Sequence, residues 1–251
     1  MSNENDQGKL DAEFERLRVI SGRIARDPGG VGMDVENLPD FFNNVAHLWD
    51  AKFAKGYAPL HRATATRIAR TREPIRILDV GCGTGLELEY ILERAPNARI
   101  TAMDQAPRML AELERKYAQR MTQIELLQAS CVDWPDGLEG FDYVVSILCV
   151  HHFPPDTKRE IYRGFRTALD SSGAYVEGDQ CAGLLVNEAE TSVLELFEDW
   201  IAKLPGGLRG EWNYDVTLSA ETNQRLLREA GFTRFAGPWL VDGDAVLVAR
   251  P

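Results

Sequence analysis

No stretch of this 251-residue sequence is apolar for long enough to cross a bilayer. The longest apolar runs, around Tyr143–Val150, fall far short of the ~20 residues that spanning requires. The N-terminal segment MSNENDQGKLDAEFE has neither a basic start nor an apolar run, so it does not read as a secretory leader, and the expected location is the cytoplasm. Positive charge is in deficit: 28 Lys and Arg stand against 39 Asp and Glu, for a formal net charge of −11. That balance, with no basic cluster interleaved with aromatics, argues against a nucleic-acid backbone as partner. Cysteine is scarce and scattered. Cys82, Cys131, Cys149 and Cys181 form no C-x-x-C pair, which excludes a zinc spacing or a disulfide framework and favours a reducing compartment. No His/Asp/Glu cluster with ligand spacing stands out, so no metal is expected. Repeats and low-complexity tracts are absent as well.

What is present is ordinary globular material, 44% hydrophobic and 27% charged, in a length that suits one large domain or one domain with a small appendage. Leu10, Phe14, Leu17, Ile20 and Ile24 form one apolar helical stripe that stops at Asp27-Pro28-Gly29-Gly30. Residues 1–36 therefore read as a helical extension, packed on the domain or serving as a lid or dimer arm; monomer and homodimer both stay open. Helical stretches are expected over 40–54 and 59–70. Strands at 75–80, 99–104, 123–128, 141–148 and 173–179 then alternate with helices at 84–95, 107–119 and 155–169. Helices follow at 187–203 and 219–230, and two last strands at 233–240 and 244–249 meet at Asp242-Gly243, an antiparallel hairpin signal. The expected fold is α/β: a doubly wound, seven-stranded, mostly parallel, Rossmann-like sheet with an antiparallel last strand. It would occupy 37–251, with a helical insertion at about 185–217.

The densest motif is Ile77-Leu78-Asp79-Val80-Gly81-Cys82-Gly83-Thr84-Gly85. A strand runs into a glycine turn at its carboxyl end, where open α/β sheets bind ligands. The spacing is G-x-G-x-G, not the dinucleotide G-x-G-x-x-G. Asp79 inside the strand end would repel a pyrophosphate but would favour a sulfonium or ammonium. Asp104 ends the next strand 23 residues after Gly81, near the ~20 expected of a carboxylate that grips ribose hydroxyls. Together these ask for an adenosine-like sugar with a positive charge and no phosphate.

The sequence at this point resembles the class I S-adenosylmethionine-dependent methyltransferases over about residues 38–250. The matching pieces are ILDVGCGTG (77–85), TAMD (101–104) with Gln105–Leu110, FDYVVSILCVHHF (141–153), GAYVEGDQ (173–180), EAGFTRF (229–235) and the leading helix Phe42–Asp50. The resemblance implies S-adenosyl-L-methionine as cofactor, S-adenosyl-L-homocysteine as product, and in-line methyl transfer to a small molecule, at oxygen or nitrogen rather than carbon. It would place Asp79 and Gly81, Cys82, Gly83, Thr84 and Gly85 along the methionine and ribose, and Asp104 on both ribose hydroxyls. Met109 would cover the adenine, Leu148 would face the methionine moiety, and Gln105 and Trp49 would complete the cofactor site. Ser130 stands where the family often has an acidic residue near the adenine amine, so that contact would be weaker or come from the Cys131 backbone. For catalysis the resemblance points to His152 as a base, ahead of its neighbour His151, with Asp179 on the acceptor side. Both histidines could equally be structural. Trp49, Tyr57, Trp200, Trp212 and Tyr214 could wall an acceptor pocket or belong to the core. An RNA or tRNA methyltransferase, a carboxy-S-adenosylmethionine-type enzyme and a non-catalytic cofactor-binding partner protein remain the alternatives.

Overall fold

The computed structural model describes residues 36–186 and 210–251, with Glu190, Leu194, Gly206 and Gly207 between them. The expected N-terminal helix, most of the 187–203 helix and Trp200 lie outside the described residues. A long helix α1 (Leu38–Ala65) leads into β1 (Arg76–Val80), α2 (Leu88–Arg94), β2 (Arg99–Asp104), α3 (Pro107–Lys116), β3 (Ile124–Gln128) and β4 (Phe141–Ile147). Then come α4 (Pro155–Ala168), β5 (Leu169–Gln180), α5 (Ala220–Glu229), β6 (Arg234–Val241) and β7 (Asp244–Arg250). The seven strands form one sheet in the order β3-β2-β1-β4-β5-β7-β6.

Helices cover both faces of the central strands, so β1 is a continuous apolar run rather than an alternation, and Ile77, Leu78 and Val80 are fully buried. Parallel register aligns Val80 with Met103, Asp79 with Val145, and Ile147 with Gly178. The carboxyl ends of β1, β2, β4 and β5 therefore share one rim, and the chain reverses direction across the sheet between β1 and β4. That reversal is where such sheets bind ligands. The last strands pair antiparallel, as expected, through a turn in which both Asp242 and Gly243 have positive φ (51° and 98°). Ser219 caps α5 by accepting from the Thr222 backbone N–H at 3.2 Å.

Two of the boundaries that depart from the sequence expectation shape the surroundings of the glycine turn. The helices expected at 40–54 and 59–70 are a single helix with Pro59 in its interior. An internal proline costs about 3 kcal/mol. Here both ends are held by burial: Phe41, Val45 and Leu48 on one side of Pro59, and Leu60, Thr64 and Ala65 on the other. The helix expected from residue 84 begins at Leu88 instead, because Gly83 and Gly85 take positive φ and keep the preceding turn out of helical geometry.

At the far end of α1 the helix rides directly on β5. A Cβ added at Gly178 would stand 2.2 Å from the hydroxyl oxygen of the fully buried Thr64. Gly178→Ala is expected to destabilise the fold by about 1–3 kcal/mol through overpacking. At this chain size, each kcal/mol should lower the melting temperature by roughly 2–4 °C. An unchanged melting curve would mean that α1 is not seated this closely.

Candidate functional site

The glycine turn after β1 is shaped by its neighbours. The Gly81 and Cys82 backbone N–H groups both donate to the Met103 carbonyl (2.8 and 3.1 Å), which fastens the turn to the end of β2. Gly81 has φ 71°, and a Cβ there would lie 2.3 Å from Cys149 Sγ, so only glycine fits against the β4 end. Gly83 faces open space. The Asp104 carboxylate accepts from Gly83 N–H and from Ala106 N–H, both at 2.8 Å, and so bolts the turn to the start of α3. Burial pushes the Asp104 carboxyl up, while these backbone hydrogen bonds pull it back. On the outer side Thr84 donates to Asp50 of α1 (2.5 Å), and Lys116 pairs with the same carboxylate at 2.6 Å.

Beside the turn opens a cleft of about 780 Å³ when the solvent space at its mouth is counted. Gly81, Cys82, Gly83, Thr84, Asp104, Gln105, Met109, Cys131, Leu148, His152 and Trp49 line it. Phe42, Tyr57 and His61 of α1 close the side opposite the sheet. Three residues expected along the cofactor stand behind the wall instead. Gly85 packs on Leu88 and Leu113, and its carbonyl accepts from the Tyr117 hydroxyl at 2.8 Å. Ser130 is taken up by Glu211. Asp79 is buried beneath the turn against Glu87, which does line the cleft. Nothing in the sequence marked Glu87, since it reads there as one more polar residue of a helix. Of the proposed aromatic wall, Trp49 and Tyr57 line the cleft, Tyr214 belongs to the core, and Trp212 lines a separate shallow surface with Asp40 and Arg108.

Burial and the neighbouring Glu87 hold the Asp79 carboxyl well above the usual carboxylate range, and burial raises Glu87 too. The two carboxyls are coupled, so their titration belongs to the pair. One oxygen of each, Asp79 Oδ2 and Glu87 Oε1, is buried without a partner among the described residues. An acidic pair with open lone pairs beside a glycine cradle fits the ammonium end of an amino-acid ligand and does not fit a phosphate.

At the rim where β4 and β5 end lies a second constellation. Asp179 and His151 are both buried, and Asp179 Oδ1 accepts from His151 Nδ1 at 2.5 Å. The backbone N–H groups of His151 (3.1 Å) and Gln180 (2.8 Å) also donate to Asp179. Burial works to lower the His151 pKa, but the Asp179 carboxylate outweighs it and holds the ring above its ordinary value; Asp215 acts with Asp179, and Lys158 against it. His152 is the opposite case. Burial and the adjacent His151 bring it down to about 4, and its Nδ1–H donates to the Tyr214 carbonyl at 2.9 Å. Asp215, half-exposed, lies 3.5 Å from His151 Nε2. Burial, followed by the charges of Asp244, Asp215 and Asp179, raises the Tyr57 hydroxyl pKa, which marks this end of the cleft as acidic.

His151, His152 and Asp215 bring one potential ligand atom each to within 4.8 Å of one another. The sequence could not show this grouping, because Asp215 is 63 residues beyond His152. One nitrogen of each ring is already committed, to Asp179 and to the Tyr214 carbonyl, and the third member is an exposed carboxylate.

Residues 77–173 match a family described as a methyltransferase domain. Over 161 residues the chain is 32% identical to erythromycin 3''-O-methyltransferase of Saccharopolyspora erythraea, covering 62% of this chain and 50% of that protein. It is 33% identical over 106 residues to a malonyl-[acyl-carrier protein] O-methyltransferase of a Paenibacillus species (37% and 38% covered). It is 36% identical over 106 residues to demethylmenaquinone methyltransferase of Thermus thermophilus (41% and 47%). The matches thus span about half or less of these relatives' lengths. Among solved structures, the fold is shared with DhpI bound to S-adenosylhomocysteine (TM-score 0.64, 20% identity, 85% of this chain and 95% of that one). It is shared also with PigF bound to the same molecule (TM-score 0.68, 16% identity, 95% and 69%). Among the described residues no helix is long and apolar enough to cross a membrane.

Proposed function

We propose, for a chain that belongs to the class I S-adenosylmethionine-dependent methyltransferase family, that it methylates an oxygen atom of a small molecule, with His151 as the proton acceptor. The observation that carries this reading is the buried Asp179–His151 pair at the carboxyl ends of β4 and β5, next to His152, which lines the cleft. A base is dispensable for an amine that arrives neutral, but it matters for a hydroxyl, whose proton must leave as the new bond forms. The O-methyltransferase names of two of the relatives agree with that choice.

Bound S-adenosylmethionine would supply an electrophilic methyl on a sulfonium. The protein's part is to bind, orient and move one proton. Asp104 would receive the ribose hydroxyls, Gln105 and Met109 would flank the adenine, Gly81–Gly83 would cradle the methionyl end, and the Asp79–Glu87 pair would attract its ammonium. Asp179 fixes His151 with Nδ1 protonated, which leaves Nε2 as the accepting atom, and it stabilises the imidazolium once the proton arrives. His152, neutral and lining the cleft, would orient the acceptor by hydrogen bonding rather than take its proton. That assignment reverses the order the sequence favoured. Residues 37–251 would form the catalytic domain.

Thermal melting in the presence of S-adenosylmethionine, S-adenosylhomocysteine, carboxy-S-adenosylmethionine and NAD tests the reading. The first two, at 100 times their dissociation constants, should stabilise the protein by about 2.7 kcal/mol, and NAD should do nothing. A preference for the carboxy form would move the chain to that chemistry. Silence from every adenosyl ligand would overturn the proposal.

A further inference from the structure

We propose that Glu211 reads the exocyclic amine of the adenine ring, and that the C-terminal end of the insertion thereby forms part of the cofactor site. The inference rests on the reading that this cleft binds S-adenosylmethionine. Glu211 Oε1 accepts from the Ser130 hydroxyl at 2.7 Å, across 81 residues of sequence. The Gln105 side chain lies beside the same carboxylate, and the Glu211 charge helps raise the pKa of Asp104. Asp104, Gln105 and the flanks of Ser130 (Ala129 and Cys131) line one end of the cleft, so the carboxylate stands at that end. Its backbone is fixed there as well. The Glu211 carbonyl accepts from Leu38 N–H (2.9 Å) and from the Asn37 side chain (3.2 Å), and Asn37 and Trp212 form an antiparallel bridge.

The second carboxylate oxygen decides the chemistry. Glu211 Oε2 is buried with no hydrogen-bond partner among the described residues. A buried carboxylate oxygen is an acceptor only, and left alone it costs free energy, so it calls for a donor. With Asp104 assigned to the ribose hydroxyls, the donor an adenosine offers beyond its sugar is the six-position amine. A six-keto ring would bring a second acceptor against the carboxylate and be repelled. A site of this kind discriminates strongly, because the wrong ring leaves a buried polar group unpaired.

The test compares S-adenosylhomocysteine with S-inosylhomocysteine, its six-keto analogue, by calorimetric titration of the wild-type protein and of Glu211→Gln. The wild type should bind the adenosyl ligand at least about tenfold tighter. Glu211→Gln keeps the side-chain length and the oxygen that Ser130 donates to. It should weaken S-adenosylhomocysteine binding by about tenfold while leaving S-inosylhomocysteine unchanged or tighter, so that the preference collapses. A variant that retains the wild-type preference overturns the assignment and leaves the cofactor reading intact. Equal binding of both ligands by the wild type overturns it without recourse to any variant. A wild type that binds neither ligand overturns the cofactor reading and this inference with it.

Discussion

Replacing His151 with Gln is expected to lower turnover by about 10²–10⁴-fold, the usual contribution of a positioned base, while the affinity for S-adenosylhomocysteine stays within a few-fold of wild type. The split follows from placement. His151 does not line the cofactor cleft, and its ring contacts are Asp179, Asp215 and the adjacent His152. The pH dependence gives a second readout. His151 accepts a proton only when neutral, and Asp179 holds its pKa above 6.5 against the lowering effect of burial. The rate should therefore rise with pH along a limb centred above 6.5 and be lost on the acid side. In Asp179→Asn the attraction and the strong hydrogen bond go and burial remains, so the acid limb should move to lower pH while the plateau falls. Side-chain NMR titration of His151 follows the same shift without any acceptor. His152 is already neutral, down to about pH 4, so His152→Gln should leave the position of the limb in place. Full activity in His151→Gln, or a limb unmoved in Asp179→Asn, would remove the pair from the mechanism.

Asp104→Ala is expected to weaken S-adenosylhomocysteine binding by well over tenfold. The carboxylate carries two loads. It accepts from Gly83 and Ala106 N–H groups at 2.8 Å each, which holds the glycine turn to α3, and it offers its remaining lone pairs to the cleft. Each buried donor left unpaired costs about 1–3 kcal/mol, so the loop should loosen as the ribose contact goes. The two losses separate by comparing S-adenosylhomocysteine with its 2′-deoxy analogue. If Asp104 takes the hydroxyl, the difference in affinity between the two ligands should be large in the wild type and near zero in Asp104→Ala. A difference that persists in the variant would leave Asp104 with the loop alone.

The strand–turn pattern and its carboxylates were legible because their information is local. Ile77–Val80 is apolar throughout because β1 is covered on both faces, the turn needs glycine where Cys149 crowds Gly81, and Asp104 ends a strand of predictable length. The antiparallel close was equally readable, since Asp242 and Gly243 alone determine a positive-φ turn. What depended on tertiary contact was out of reach. Pro59 looked like a break until α1 was seen anchored on both sides of it. The two histidines are neighbours in sequence and opposites in charge behaviour. Only the arrival of Asp179 from β5 and of the Tyr214 carbonyl from a segment 62 residues beyond His152 tells them apart. Ser130 read as a missing acid, whereas Glu211 brings a carboxylate to it from 81 residues away. Residue type and spacing thus determined the fold, the glycine cradle and the class of ligand. Protonation states and pairings were decided by the tertiary structure, because burial and a partner from a distant strand or loop set a side chain's charge, and neither is written in its neighbours along the chain.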